Sequence, residues 1–158
     1  MNGLPTYCMD TSALMDGLER YYPESAFPAL WERFNDLIEV GRVIVSEEVW
    51  IEATKKAAAT KEWCEKQNED KIVVRTDSEI ATKVKEIVGT YPKFTSDASG
   101  KNRADPFVVA LAAIRNAVVI TGEAGGSDKK PRIPFICDKM DVRCSGFLDI
   151  VKNEKWVF

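Results

Sequence analysis

The chain has 158 residues, of which 45% are hydrophobic and 30% charged, a balance that fits one folded domain with a sizeable core and excludes a disordered chain. Its net charge of −3 argues against a surface coated with nucleic acid, while leaving room for a local basic rim. It contains no histidine, which removes Ser-His-Asp and Cys-His catalysis and every histidine-ligated metal site.

In chain order, short β-like runs alternate with helical stretches, the pattern of an α/β domain with a mostly parallel sheet. Thr6 to Met9 reads as a first strand. Asp10-Thr11-Ser12 follows and can cap a helix starting near Ala13. Pro23 interrupts. A second helix is expected over residues 26–40, with Phe27, Leu30, Trp31, Phe34, Leu37 and Ile38 on one face and Gly41 closing it. Val43 to Val45 is the second strand, and Ser46 can cap a helix over residues 47–58. Lys61 to Gln67 is helical, Ile72 to Val74 is the third strand, and Ser78 to Val88 is an amphipathic helix. A polar loop is expected over residues 90–103.

Asp105-Pro106 opens a buried helix to Asn116. Its apolar run, Phe107 to Ile114, is eight residues long, far short of the ~20 that cross a bilayer. Val118 to Thr121 is the fourth strand, and a Gly- and Lys-containing loop occupies residues 122–131. A helix over residues 135–140, a fifth strand at residues 142–144 and a helix from about Phe147 complete the chain. No internal repeat, low-complexity tract or linker divides it, so residues 1–158 read as one domain. The start, Met-Asn-Gly-Leu-Pro, has no basic flank of a secretory signal. Cys8, Cys64, Cys137 and Cys144 are scattered without a CxxC pair, which fits free thiols in the cytoplasm.

Four acids stand beside predicted strand ends. Asp10 ends the first strand, Glu52 lies on the helix after the second, Asp105 opens the helix before the fourth, and Glu123 follows the fourth. In open parallel sheets, sites collect beyond the carboxyl ends of the strands. Each acid also has a plain structural reading. Asp10 and Asp105 suit helix N-caps, with Pro106 favoured at the next position. Glu123 suits an exposed turn. Glu52, three residues after Val49, leans toward the buried side of its helix, where a Glu without a purpose is uncommon. Glu47 and Glu48 read as solvated.

Together the acids say more. Converging carboxylates repel and raise one another's pKa values, and a hard divalent cation relieves that repulsion. Mg²⁺ or Mn²⁺ held by oxygen ligands, as two ions about 4 Å apart, can serve phosphodiester cleavage. A chain without histidine can carry this chemistry. Lys101 and Arg103 precede Asp105, and Lys129, Lys130 and Arg132 follow Glu123. They read either as phosphate contacts around the acids or as solvated loop residues. Trp31, Trp50, Trp63 and Trp156 could stack on bases, although core packing is the stronger reading for Trp31 and Trp50.

The motifs resemble a known family. Met9-Asp10-Thr11-Ser12 after an apolar strand is similar to the first motif of PIN domains, Glu-Val-Trp-Ile-Glu ending in Glu52 to the second, Ala104-Asp105-Pro106 and the following apolar helix to the third, and Val119-Ile120-Thr121-Gly122-Glu123 to the fourth. Tyr22-Pro23, Phe27-Pro28, Trp31, Trp63 and the run Lys-Lys-Pro-Arg-Ile-Pro-Phe-Ile-Cys resemble the DUF4411 subgroup of PIN-like proteins. The resemblance implies a three-layer α/β/α fold with a five-stranded parallel sheet of order 3-2-1-4-5. It implies a Mg²⁺- or Mn²⁺-dependent ribonuclease, many relatives being toxins of toxin–antitoxin pairs. Asp10, Glu52 and Asp105 carry over as metal ligands. Glu123 carries over with a departure, since the family more often has Asp there and the following Ala-Gly-Gly is unusual. Thr11, Ser12 and Thr121 match supporting hydroxyls. The implied partners are RNA and a cognate antitoxin, with a homodimer left open and no membrane. Two other readings stay open: a PIN-like binding module without catalysis, and a phosphatase of the haloacid-dehalogenase type. The latter expects a second Asp two residues after Asp10, where this chain has Ser12. A receiver-like site lacks the correctly placed Asp pair and Lys.

Overall fold

A computed structural model describes residues 3–56, 58–95 and 103–158. Five strands form one parallel sheet: β1 (Tyr7–Met9), β2 (Val43–Ser46), β3 (Val73–Val74), β4 (Val118–Ile120) and β5 (Cys144–Ser145). Their order is β3-β2-β1-β4-β5, with helices on both sides, as the resemblance implied. β1, β2 and β4 are buried along their whole length, which explains their unbroken apolar runs. The register pairs Cys8 with Ile44 and Val119, and Ile120 with both Met9 and Ser145. It therefore aligns Asp10, Thr121 and Gly146 just beyond one edge.

The helices are α1 (Thr11–Met15), α2 (Pro28–Glu39), α3 (Glu47–Thr54), α4 (Ala58–Lys66), α5 (Glu69–Ile72), α6 (Ser78–Thr90), α7 (Asp105–Arg115), α8 (Ile133–Lys139) and α9 (Phe147–Asn153). α7 packs along β1, β2 and β4, which is why Val108 to Ala112 are all buried. α2 buries Leu30, Trp31, Phe34, Leu37 and Ile38, whereas Phe27 precedes the helix and is partly exposed. Trp31, Phe34, Trp63 and Phe147 form one aromatic cluster, with Trp31 and Trp63 rings 5.8 Å apart. Trp31, Trp50 and Trp63 are buried, so core packing and not base stacking is their role. No helix among the described residues is long and apolar enough to cross a membrane.

Several boundaries differ from the sequence reading. α1 begins at Thr11, because Asp10 is its cap and not a residue before it. A π-helical segment, Asp16–Tyr21, continues it. Ile72 closes α5, capped by Asn68, so β3 starts one residue later. α6 runs to Thr90, and a 3-10 turn covers Pro92–Thr95 where a loop was expected. α8 begins at Ile133, with Pro134 in its first turn. Val142 carries the apolar signal of the fifth strand, but pairing begins only at Cys144. At the opposite edge of the sheet, Glu154 accepts hydrogen bonds from the Tyr7 hydroxyl and the Arg42 guanidinium.

Candidate active site

Asp10 leaves β1 in extended conformation and caps α1, its Oδ1 accepting the Thr11 N–H at 2.8 Å. Its Oδ2 accepts from Ser12 Oγ at 2.6 Å and from Thr121 Oγ1 at 2.9 Å. The same hydroxyls reach the neighbouring loop. Ser12 Oγ accepts the Gly122 N–H at 2.9 Å, and Thr121 Oγ1 accepts the Glu123 N–H at 3.1 Å. Two hydroxyls thus tie the end of β4 to the end of β1. Burial pushes the Asp10 carboxyl up, and the bonds from Ser12, Thr121 and Thr11 oppose that rise by favouring its charged form.

The other acids face the same place. Asp105 is 7% exposed, and its carboxyl is pushed up to about 9 by burial first, then by Asp10, Glu123 and Glu52. Glu52 is half-buried, as its helical phase suggested. Burial raises its carboxyl, the nearby Thr11 hydroxyl lowers it, and Asp10 raises it further. Thr11 Oγ1 is itself buried without a formed hydrogen bond. Glu123 is also raised by burial, while the Ile133 N–H, donating to Oε1 at 3.1 Å, works the other way. Glu123 is therefore neither a free turn residue nor idle: its backbone is held by Thr121 and its carboxylate by the start of α8.

Two plain readings change. Asp105 is not the cap of α7. Ala104 is the cap, and Asp105 stands at the first helical position with no side-chain cap bond. Glu47 and Glu48 are only partly solvated, because Thr76 of the segment after β3 folds back over them. The Thr76 N–H donates to Glu47, and burial raises the Glu48 carboxyl.

The basic residues divide. Arg132 is exposed, and its charge bears on both Asp105 and Glu123. Arg103 is exposed just before α7, and Lys129 and Lys130 are exposed in the loop. Lys101 lies outside the described residues. Two residues and one pairing escaped the sequence reading. Lys56 lowers the Glu52 carboxyl, and its i+4 spacing from Glu52 was the available signal. Asp16, one turn after Ser12, lies over Gly122, where an added Cβ would meet Asp16 Oδ2 at 2.3 Å. Cys137 and Cys144 interact through their sulfurs, which raises the Cys137 thiol and lowers that of Cys144; all four cysteines are free.

The donor set fits a hard cation: four carboxylates and neighbouring hydroxyls, with no histidine. Among the described residues, no three acid or thiol side chains are already drawn together as a metal cage. That is compatible with the mutual influence above, because Coulomb repulsion acts over several ångströms and holds uncompensated carboxylates apart.

The parallel sheet of order 3-2-1-4-5, with acids at its carboxyl edge, agrees with the PIN-like fold that the motifs resemble. The chain belongs to the family described as "Domain of unknown function (DUF4411)", whose model matches residues 7–158. Among solved structures, it is similar to DNA-bound VapBC from Salmonella typhimurium, with 17% identity, 90% of this chain and 98% of the other covered, and a TM-score of 0.54. It is also similar to FitAcB from Neisseria gonorrhoeae, with 18% identity, 89% and 96% coverage, and a TM-score of 0.51. No curated protein matches it.

Proposed function

We propose that this chain is a Mg²⁺- or Mn²⁺-dependent ribonuclease that hydrolyses RNA phosphodiester bonds in the cytoplasm and is held in check by a protein antitoxin. The observation that carries this is the influence of three carboxylates from separate segments on a fourth: Asp10, Glu52 and Glu123 each raise the pKa of the buried Asp105. Buried acids that repel one another are costly unless something positive joins them. Asp10, Glu52 and Asp105 would hold the cation, with Glu123 as a fourth ligand. When bound, the metal supplies a water of lowered pKa and neutralises phosphate charge.

The chain's own groups have separable tasks. Ser12 and Thr121 orient Asp10 and favour its charged form against the rise that burial imposes. The Asp105 carboxyl carries a proton at neutral pH that must leave before it can ligate. Arg132 stands where a phosphate would approach the acids, and Arg103, Lys129 and Lys130 extend that rim without reading sequence. The likeness to VapBC and FitAcB supports an antitoxin partner, with association of two copies as a further arrangement.

The test is cleavage of a mixed RNA in Mg²⁺ or Mn²⁺ by wild type, Asp10→Asn and Asp105→Asn. Wild-type cleavage lost in both variants supports the reading; equal activity in all three overturns it. A second reading, a PIN-like binding module without catalysis, is favoured by the engagement of Glu123 with Ile133. Calorimetric Mn²⁺ binding that depends on Asp10 counts against that alternative.

A further inference from the structure

A groove of about 500 Å³ opens at the carboxyl ends of β4 and β5. Thr121 and Glu123 stand on its wall, so it runs directly from the acidic edge. Its size lies within the range of about 300–1,000 Å³ typical of small-molecule sites. Pro134 and Val142 give it apolar sides, and Asp138 and Ser145 give it polar ones. Among the described residues, neither the Asp138 carboxylate nor the Ser145 hydroxyl takes part in a hydrogen bond or ion pair. Asp138 is exposed. It is the second-last residue of α8, where the helix dipole disfavours a negative charge.

Two carboxylates on the wall, Glu123 and Asp138, make the groove hostile to a second phosphate. A flat ring with hydrogen-bond donors on its edge suits it better. Resting on the nuclease reading above, we propose that the groove receives a base adjoining the cleaved phosphate and that Asp138 selects guanine. An ionised carboxylate only accepts, and it best takes two parallel N–H donors. Guanine alone among the RNA bases presents two adjacent donors, N1–H and the N2 amine, on its Watson–Crick edge. Adenine and cytosine set a donor beside an acceptor, and uracil sets one N–H between two carbonyls. The Ser145 hydroxyl can serve O6 of the same edge. That edge is free only in single-stranded RNA, so an unpaired guanine is the predicted ligand.

The test has two arms. In the first, GMP, IMP, AMP, CMP and UMP are titrated into ¹⁵N-labelled protein in Mg²⁺ buffer. GMP should shift the amides of Asp138, Ser145 and Gly146 at concentrations about tenfold below the others. IMP, which lacks the N2 amine, should behave like the others, and Asp138→Ala should abolish the preference. Equal response to all five nucleotides, or none, overturns the proposal. In the second arm, single-stranded RNAs differing at one base next to the cut are compared by kcat/KM. Wild type should favour guanine by about tenfold or more, and Asp138→Ala should level the series. Selective GMP binding without any RNA cleavage refutes the nuclease reading and leaves the groove assignment standing. Cleavage without base preference refutes the groove and leaves the nuclease.

Discussion

Replacing Asp105 with Asn takes one proton-binding group out of the most crowded part of the acidic edge, and the pH dependence of stability should register it. The Asp105 carboxyl is pushed up to about 9 by burial and by Asp10, Glu123 and Glu52. In the unfolded chain an Asp titrates at about 3.9. Between those values the folded chain holds a proton that the unfolded chain has released. The stability linked to this group is therefore full below about pH 3.9 and lost as pH rises through about 9. One such proton is worth about 1.4 kcal/mol per pH unit. Asn has no proton to lose. From pH 6 to pH 8 the variant should accordingly gain about 3 kcal/mol relative to wild type. Urea unfolding at pH 6, 7 and 8, with EDTA present and equal m-values confirmed, measures the difference. Parallel pH profiles for the two proteins would refute the reasoning, because they would mean that Asp105 is ionised in the folded chain across the whole range.

Mn²⁺ binding at pH 7 should release about one proton, since a ligand must give up the proton it carries; calorimetry in buffers of different ionisation heat reads this, and zero release counts against Asp105 as a ligand. Thr121→Val removes the bond to Asp10 and the acceptor of the Glu123 N–H, and should cost about 1.5–3 kcal/mol in urea unfolding. Gly122→Ala drives a methyl into the Asp16 carboxylate and should cost about 1–3 kcal/mol; adding Asp16→Ala should recover most of that loss. Glu154→Ala leaves Arg42 without its partly buried partner and should cost about 1.5–3 kcal/mol, seen as a fall in the urea midpoint.

How far the residues could be read follows the range of the forces involved. Asp10 and Glu52 were legible because strand ends and helical phase are local. Asp105 was legible as a member of the set but not in its position, since a Pro can follow either a cap or a first-turn residue. The strand order could be had from the motif resemblance alone; no local pattern says which strands become neighbours. Asp16 over Gly122 is a contact between segments brought together by that order, so it leaves no mark in spacing. Thr76 folding over Glu47 and Glu48 is missed for the same reason. The fifth strand shows a different limit: Val142 and Cys144 both look like strand residues, and only the paired carbonyls of β4 decide where pairing starts.

The strand order also sets when the site can exist. β1 is synthesised early yet lies at the centre of the sheet, between β2 and β4. Asp10 gains its Thr121 partner only after β4 has been made and has docked beside it. Asp105 and Glu123 arrive with the same late segment. A ribosome-bound chain that ends before β4 therefore lacks Glu123 and the Thr121 that holds Asp10, and cannot assemble the four-acid edge. For a protein whose proposed target is RNA, this delay keeps the growing chain inert toward the message that encodes it.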